Sequence, residues 1–168
     1  MPVLVLARHA KAEAHSDERP DFDRALSLRG KMEAEALGAA LAAAGFEPDL
    51  AYVSAAVRTA QTWEIAARGW DVPEVHSRRE LYNTTVGTLI GVLAGSTADT
   101  AGVIVVGHEP TMSSAAAFLS GPGSDKTALQ RVARGLPTGS AALLEFDGGW
   151  DEMGRGTARL RAVVGRDG

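Results

Sequence analysis

The stretch Val3-Leu4-Val5-Leu6-Ala7-Arg8-His9 decides the fold. Its apolar run shows no alternation with polar residues, so both faces of the segment must be covered. That pattern belongs to a central strand of a layered α/β protein. The run is too short to span a membrane and lacks the basic flank of a leader. It ends on Arg8 and His9, one permanent cation and one group that can bind or release a proton near neutrality. Ligands of α/β sheets gather where strands end and helices begin, so this junction is a candidate site.

Working outward, residues 11–24 are polar and read as a loop, with Pro20 as punctuation. Ser27 is placed to cap a helix. Leu28, Met32, Leu37, Leu41 and Ala44 follow at helical spacing, and Gly45 supplies the stop. A short strand covers Leu50-Ala51-Tyr52-Val53. A second helix runs from after Ser54 to about residue 68, Val75 marks a brief third strand, and residues 86–93 form a further helix. Val103-Ile104-Val105-Val106 is the clearest strand and stops at Gly107-His108, with Pro110 as the first residue of another helix. Residues 124–137 read as a loop with one helical turn. Residues 141–146 and 158–164 are two strands joined by a Gly-rich turn. Strands alternating with helices give a three-layer α/β sandwich, with a mostly parallel central sheet and helices on both faces.

The 168 residues suit one domain, 1–168. Neither disorder nor a membrane class fits the apolar and charged content. The net charge of -4 offers no footprint for nucleic acid. Cysteine is absent, which excludes disulfides, thiolate nucleophiles and zinc–thiolate sites. The chain is expected to be cytoplasmic.

A transferring phosphoryl group needs fixed positive donors around its equatorial oxygens and a nucleophile in line with the leaving group. Imidazole can supply the nucleophile and arginine's planar fork can supply the donors. Arg8-His9 alone would be an ordinary dipeptide, and Arg58 alone an exposed helix residue paired with an acid such as Glu64. Their coincidence with Gly107-His108 at a second strand end is what raises a phosphate site above those readings. A His9, His15, His108 metal cluster lacks any close ligand spacing, and His15 and His76 read as surface residues.

Taken in order, several segments resemble the histidine phosphatase superfamily. Arg8-His9-Ala10-Lys11-Ala12 resembles its Arg-His-Gly signature, with Ala in place of Gly. Arg24-Ala25-Leu26-Ser27-Leu28-Arg29-Gly30 is similar to its Arg-x-Leu-(Ser/Thr)-x-x-Gly segment. The stretch from Ser54 through Arg58 to Gln61-Thr62 is similar to Ser-Pro-x-x-Arg-Ala-x-Gln-Thr, and Val105-Val106-Gly107-His108 to the strand ending in Gly-His. The Ala-Lys-Ala continuation after His9 is similar to the small SixA-type phosphohistidine phosphatase branch.

This resemblance implies a phosphoglycerate mutase-like fold and a set of roles. His9 would attack phosphorus and carry it transiently. Arg8, Arg58 and His108 would bind the phosphate oxygens, with Arg24 as a further ligand. No metal or other cofactor would be needed. In the wider family a carboxylic acid protonates the leaving group, and Glu80 is the candidate. An ordinary salt bridge to Arg78 or Arg79 is the competing reading for Glu80, and pairing with Asp21 or Asp23 is the competing reading for Arg24. About twenty residues separate Glu80 from the strand at Val103, which leaves no room for a large cap insertion. An open site follows, better suited to phosphohistidine on a protein than to an enclosed metabolite. A phosphatase of small phosphomonoesters and an inactive phosphate-binding module are the alternatives. The sequence leaves open whether Lys11 or Ser113 also reaches phosphate.

Overall fold

In the computed structural model, which describes residues 1–166, the opening strand β1 (Val3–Arg8) lies inside a six-stranded sheet. The others are β2 (Leu50–Ser54), β3 (Glu74–Arg78), β4 (Gly102–Gly107), β5 (Ser140–Phe146) and β6 (Ala158–Gly165). Their spatial order is β3-β2-β4-β1-β5-β6. The first four are mutually parallel, while β5 runs antiparallel to both β1 and β6. Leu4, Val5, Leu6 and Ala7 are each 0% exposed, as an apolar run covered on both faces requires.

Alternation along the strands divides the core into two layers. Leu4, Leu6, Val103 and Val105 face the helices α3 (Val86–Ala94), α4 (Thr111–Leu119) and α5 (Lys126–Ala133). Val5, Ala7, Ile104 and Val106 face α1 (Leu28–Ala43) and α2 (Val57–Ala66). The fold is thus a three-layer α/β sandwich, with helices on both faces of a mostly parallel sheet. The connection from β3 to β4 holds a 3-10 turn, Arg79–Leu81, and α3. Among the described residues, no helix is long and apolar enough to cross a membrane.

Three local expectations are corrected. Leu28 and Met32 do not face the core: they are 77% and 66% exposed. The buried side of α1 is instead Gly30, Ala34, Leu37, Gly38 and Leu41. Small residues fill this stripe because the backbones come close. A Cβ on Gly38 would strike the carbonyl of Ala66 in α2. Residues 124–137 contain a full helix, α5, capped by Asp125, whose carboxylate accepts from Ala128 N at 2.8 Å. The helix is only eight residues long and polar on average, so it reads as loop even though Ala128, Leu129 and Val132 keep helical spacing. Pro110 sits one residue earlier than expected, at the N-cap of α4, and the Glu109–Pro110 peptide is cis.

Candidate active site

β1 and β4 are parallel neighbours in the register Arg8↔Gly107. His9 and His108 therefore leave the sheet side by side, and His9 N donates to Gly107 O at 3.0 Å, carrying the ladder one step further. The two rings lie 5.3 Å apart between centroids.

The His9 ring is fixed by its own loop. Nδ1 lies 2.7 Å from the carbonyl oxygen of Ala10. A carbonyl can only accept, so Nδ1 carries the proton and Nε2 keeps its lone pair. Arg58 Nε approaches that Nε2 at 3.4 Å. Burial, reinforced by the charges of Arg58, Arg8 and Arg24, holds the His9 pKa down at about 4. Imidazole is thus neutral and nucleophilic at neutral pH.

The loop after His9 is clamped on several sides. Ala10 N donates to Thr62 Oγ1 at 3.0 Å, and Thr62 Oγ1 donates to Arg58 O at 2.7 Å. Lys11 N donates to Glu33 Oε2 at 2.9 Å, and Ser27 donates to Lys11 O through both N and Oγ. A Cβ on Gly30 would collide with that same Lys11 carbonyl, which explains a glycine at this step of α1. Gln61 Oε1 accepts from Leu26 N at 2.7 Å. The Gln61-Thr62 pair thus joins α2 to two separate loop segments.

His108 is held by Ser54 at the end of β2, with Oγ 2.8 Å from Nε2. Ser54 Oγ also accepts from Ala56 N, and with two lone pairs and one proton it can either donate to Nε2 or accept from it. Among the described residues, His108 Nδ1 and Arg8 Nε are buried nitrogens without a hydrogen-bond partner. Leaving such groups unpaired is costly, and an anion between them would offset the cost. Burial, with the neighbouring His9 and Arg58 charges, lowers the His108 pKa to about 3.

Arg8 is anchored through NH1 to Leu136 O at 2.9 Å. Leu136 N donates in turn to Glu109 Oε2 at 3.2 Å, and the same carboxylate takes Ser113 N and Oγ. Ser113 therefore serves as a brace inside α4, with its hydroxyl engaged. The Lys11 side chain is exposed while its backbone is clamped.

Arg58, Arg8, His9 and His108 are brought together, and Arg24 joins them through Asp21, a residue marked in the sequence only as an ion-pair partner for Arg24. Asp21 Oδ1 accepts from Arg24 Nε and NH2, both at 3.0 Å. Asp21 O accepts from Arg58 NH1 at 2.8 Å, and Oδ2 accepts from Arg58 NH2 at 3.1 Å and from Tyr82 OH at 2.5 Å. Tyr82 also presents an edge to His108, 5.5 Å between centroids. Glu80 lies apart from this cluster: its half-exposed carboxylate pairs with Arg78 at 3.3 Å. Five acids crowd the loop, Glu13, Asp17, Glu18, Asp21 and Asp23, and nothing in their spacing marks Asp21. Ser54, Gln61 and Thr62 carried a motif signal but no stated task.

The family described as histidine phosphatase superfamily (branch 1) matches residues 4–99. The chain belongs to the histidine phosphatase superfamily. Within that superfamily it is similar to an uncharacterized protein of Mycobacterium tuberculosis, 36% identical over 154 residues that cover 91% of this chain and 95% of the relative. A Nakamurella multipartitia structure assigned as the phosphohistidine phosphatase SixA superposes with a TM-score of 0.85 at 30% identity, covering 97% of this chain and 95% of that one. An Agrobacterium tumefaciens structure with the same assignment gives 0.81 at 29% identity, covering 98% of both chains. The histidine phosphatase likeness thus runs through the C-terminal β5–β6 pair, and its small-branch character rests on these structures.

Proposed function

We propose that the chain is a metal-independent phosphatase that works through a phospho-His9 intermediate and takes phosphohistidine on proteins as its substrate. The observation that carries the reading is the His9 ring: its proton is held on Nδ1 by Ala10 O, leaving Nε2 unprotonated and facing the Arg58 guanidinium.

The Nε2 lone pair attacks phosphorus while Arg8, Arg58 and His108 donate to the equatorial oxygens. With the ring's other nitrogen already protonated by solvent, the bond from phosphorus to the departing imidazole nitrogen breaks, its electron pair leaves with that nitrogen, and the group departs as neutral imidazole. Water then attacks phospho-His9, the P–Nε2 bond breaks, and orthophosphate departs as the water proton passes to solvent. The arginines supply the positive field that a metal supplies elsewhere, and His108 adds a hydrogen bond.

Asp21 is bonded to arginines and Glu80 to Arg78. Neither carboxylate is set up to hand a proton to an alkoxide leaving group. Phosphohistidine suits such a site, because solvent protonation of the ring's other nitrogen lets imidazole leave as a neutral group without a general acid. The likeness to structures assigned as phosphohistidine phosphatases supports the same choice.

The test is turnover in excess EDTA on a phosphohistidine-carrying protein and on a panel of phosphate esters. Turnover that survives chelation and favours the phosphoprotein is expected. Loss of all turnover under chelation sinks the metal-free mechanism, and preference for small esters overturns the substrate assignment.

A further inference from the structure

Resting on the phosphatase reading of the same site, we propose that Asp21 is a positioning residue for phosphoryl transfer. Its carboxylate, braced by Tyr82, sets the Arg58 guanidinium against His9 and holds Arg24 beside it.

The Arg58 side chain is long and flexible, yet it is buried and must present donors at a fixed place. Asp21 grips both of its terminal nitrogens, NH1 through the backbone carbonyl and NH2 through Oδ2. That leaves Nε as the nitrogen directed at His9 Nε2. Each terminal nitrogen keeps a second hydrogen for an incoming oxygen. The other carboxylate oxygen, Oδ1, is forked by Arg24. Tyr82 completes the clamp from the segment after β3, with its ring edge-on to Phe22 at 5.0 Å between centroids. One carboxylate thus joins the loop, α2 and the segment following β3.

The charge requires it as well. Arg8, Arg24 and Arg58 all act on His9. An ionised group among them relieves their mutual repulsion before any phosphate arrives. Asp21 does not compete for the part of general acid. The Tyr82 hydrogen bond, with Arg58 and Arg24, holds its carboxyl down at about 2, and each of its partners donates to an ionised oxygen.

The experiment compares wild type with Asp21→Asn, Asp21→Glu, Tyr82→Phe and the double variant Asp21→Asn/Tyr82→Phe. Three quantities are read: kcat on a phosphohistidine-carrying protein, inorganic phosphate affinity by calorimetry, and thermal melting. Asp21→Asn should lower kcat by about 10- to 100-fold, the scale of a misplaced transition-state donor, and should weaken phosphate binding. Asp21→Glu should recover part of the loss. Tyr82→Phe should lower kcat by about three- to tenfold, and the double variant should fall no further than Asp21→Asn, because the two act as one unit. The Asp21 charge also favours protonated His108. The pH below which phosphate binding strengthens should therefore shift downward in Asp21→Asn, which a merely structural role would not produce.

Asp21→Asn with kcat and phosphate affinity within about twofold of wild type overturns the proposal, whatever its melting temperature. Should Asp21→Asn fail to fold, Tyr82→Phe decides by the same two readouts. Should wild type turn over no substrate, the phosphatase reading fails by itself. Phosphate affinity then tests Asp21 alone: weakening supports the proposal, and unchanged or tighter binding overturns it.

Discussion

The proposed phosphate pocket has two halves that are built differently. Arg8, His9 and His108 stand at the ends of neighbouring strands, and both histidines are buried with lowered pKa values. Asp21, Arg24 and Tyr82 come from the loop before α1 and the segment after β3, lie partly open to solvent, and are held by ion pairs and hydrogen bonds. A backbone ladder sets the first half, and side chains gripping one another set the second. Bond-making chemistry is expected to tolerate little change in the first half, while the second admits graded loss.

Removing the proposed nucleophile should break the comparison most severely. His9→Ala should lose turnover by about 10⁴-fold or more and form no acid-labile phosphoenzyme, as seen with radiolabelled substrate. Arg58 belongs to both halves, being buried like the first and gripped by the second. Arg58→Ala should lower kcat by about 10²- to 10³-fold in steady-state assays. Arg24 belongs to the loop half alone. Arg24→Ala should cost only about three- to tenfold, mostly in KM, because Asp21 and Tyr82 still hold Arg58. Glu80→Gln should stay within about twofold, and a tenfold loss on esters would restore it as a general acid.

The buried histidines also make a prediction about acid. In the unfolded chain each titrates near the ordinary 6.5, whereas the folded values are about 4 for His9 and about 3 for His108. Above 6.5 both are neutral in either state and their stabilising contribution is fully present. As pH falls from there toward the folded values, the unfolded chain binds protons that the folded chain refuses, and stability is lost. Thermal melts across that window should show the decline. Added phosphate should offset it by pairing with protonated His108, and melts insensitive to phosphate would sink that assignment.

The strand-end half was legible in the sequence because two apolar runs stop directly on Arg8-His9 and Gly107-His108. Arg58 was legible through the frame from Ser54 to Gln61-Thr62, whose polar groups tie α2 to the loops that surround it. Asp21 was not, since its role comes from contacts with Arg58 and Tyr82, 37 and 61 residues away. The α1 stripe misled for a related reason. Helical spacing says that Leu28 and Met32 share a face with other apolar residues, but the close approach of the Lys11 carbonyl at Gly30 and of α2 at Gly38 decides which face packs.

Hydrogen-bonded strands in a sheet lie about 4.8 Å apart. His9, the proposed nucleophile, and His108 follow directly from two such neighbours. The backbone step between them is therefore a lattice constant of the sheet, copied into the candidate site as a ruler copies its gradations. A laboratory campaign to retarget this scaffold would do well to leave that ruler alone. Its libraries belong in residues 13–24 and around Tyr82, where the chain can be redrawn without altering the unit of length on which the reaction depends.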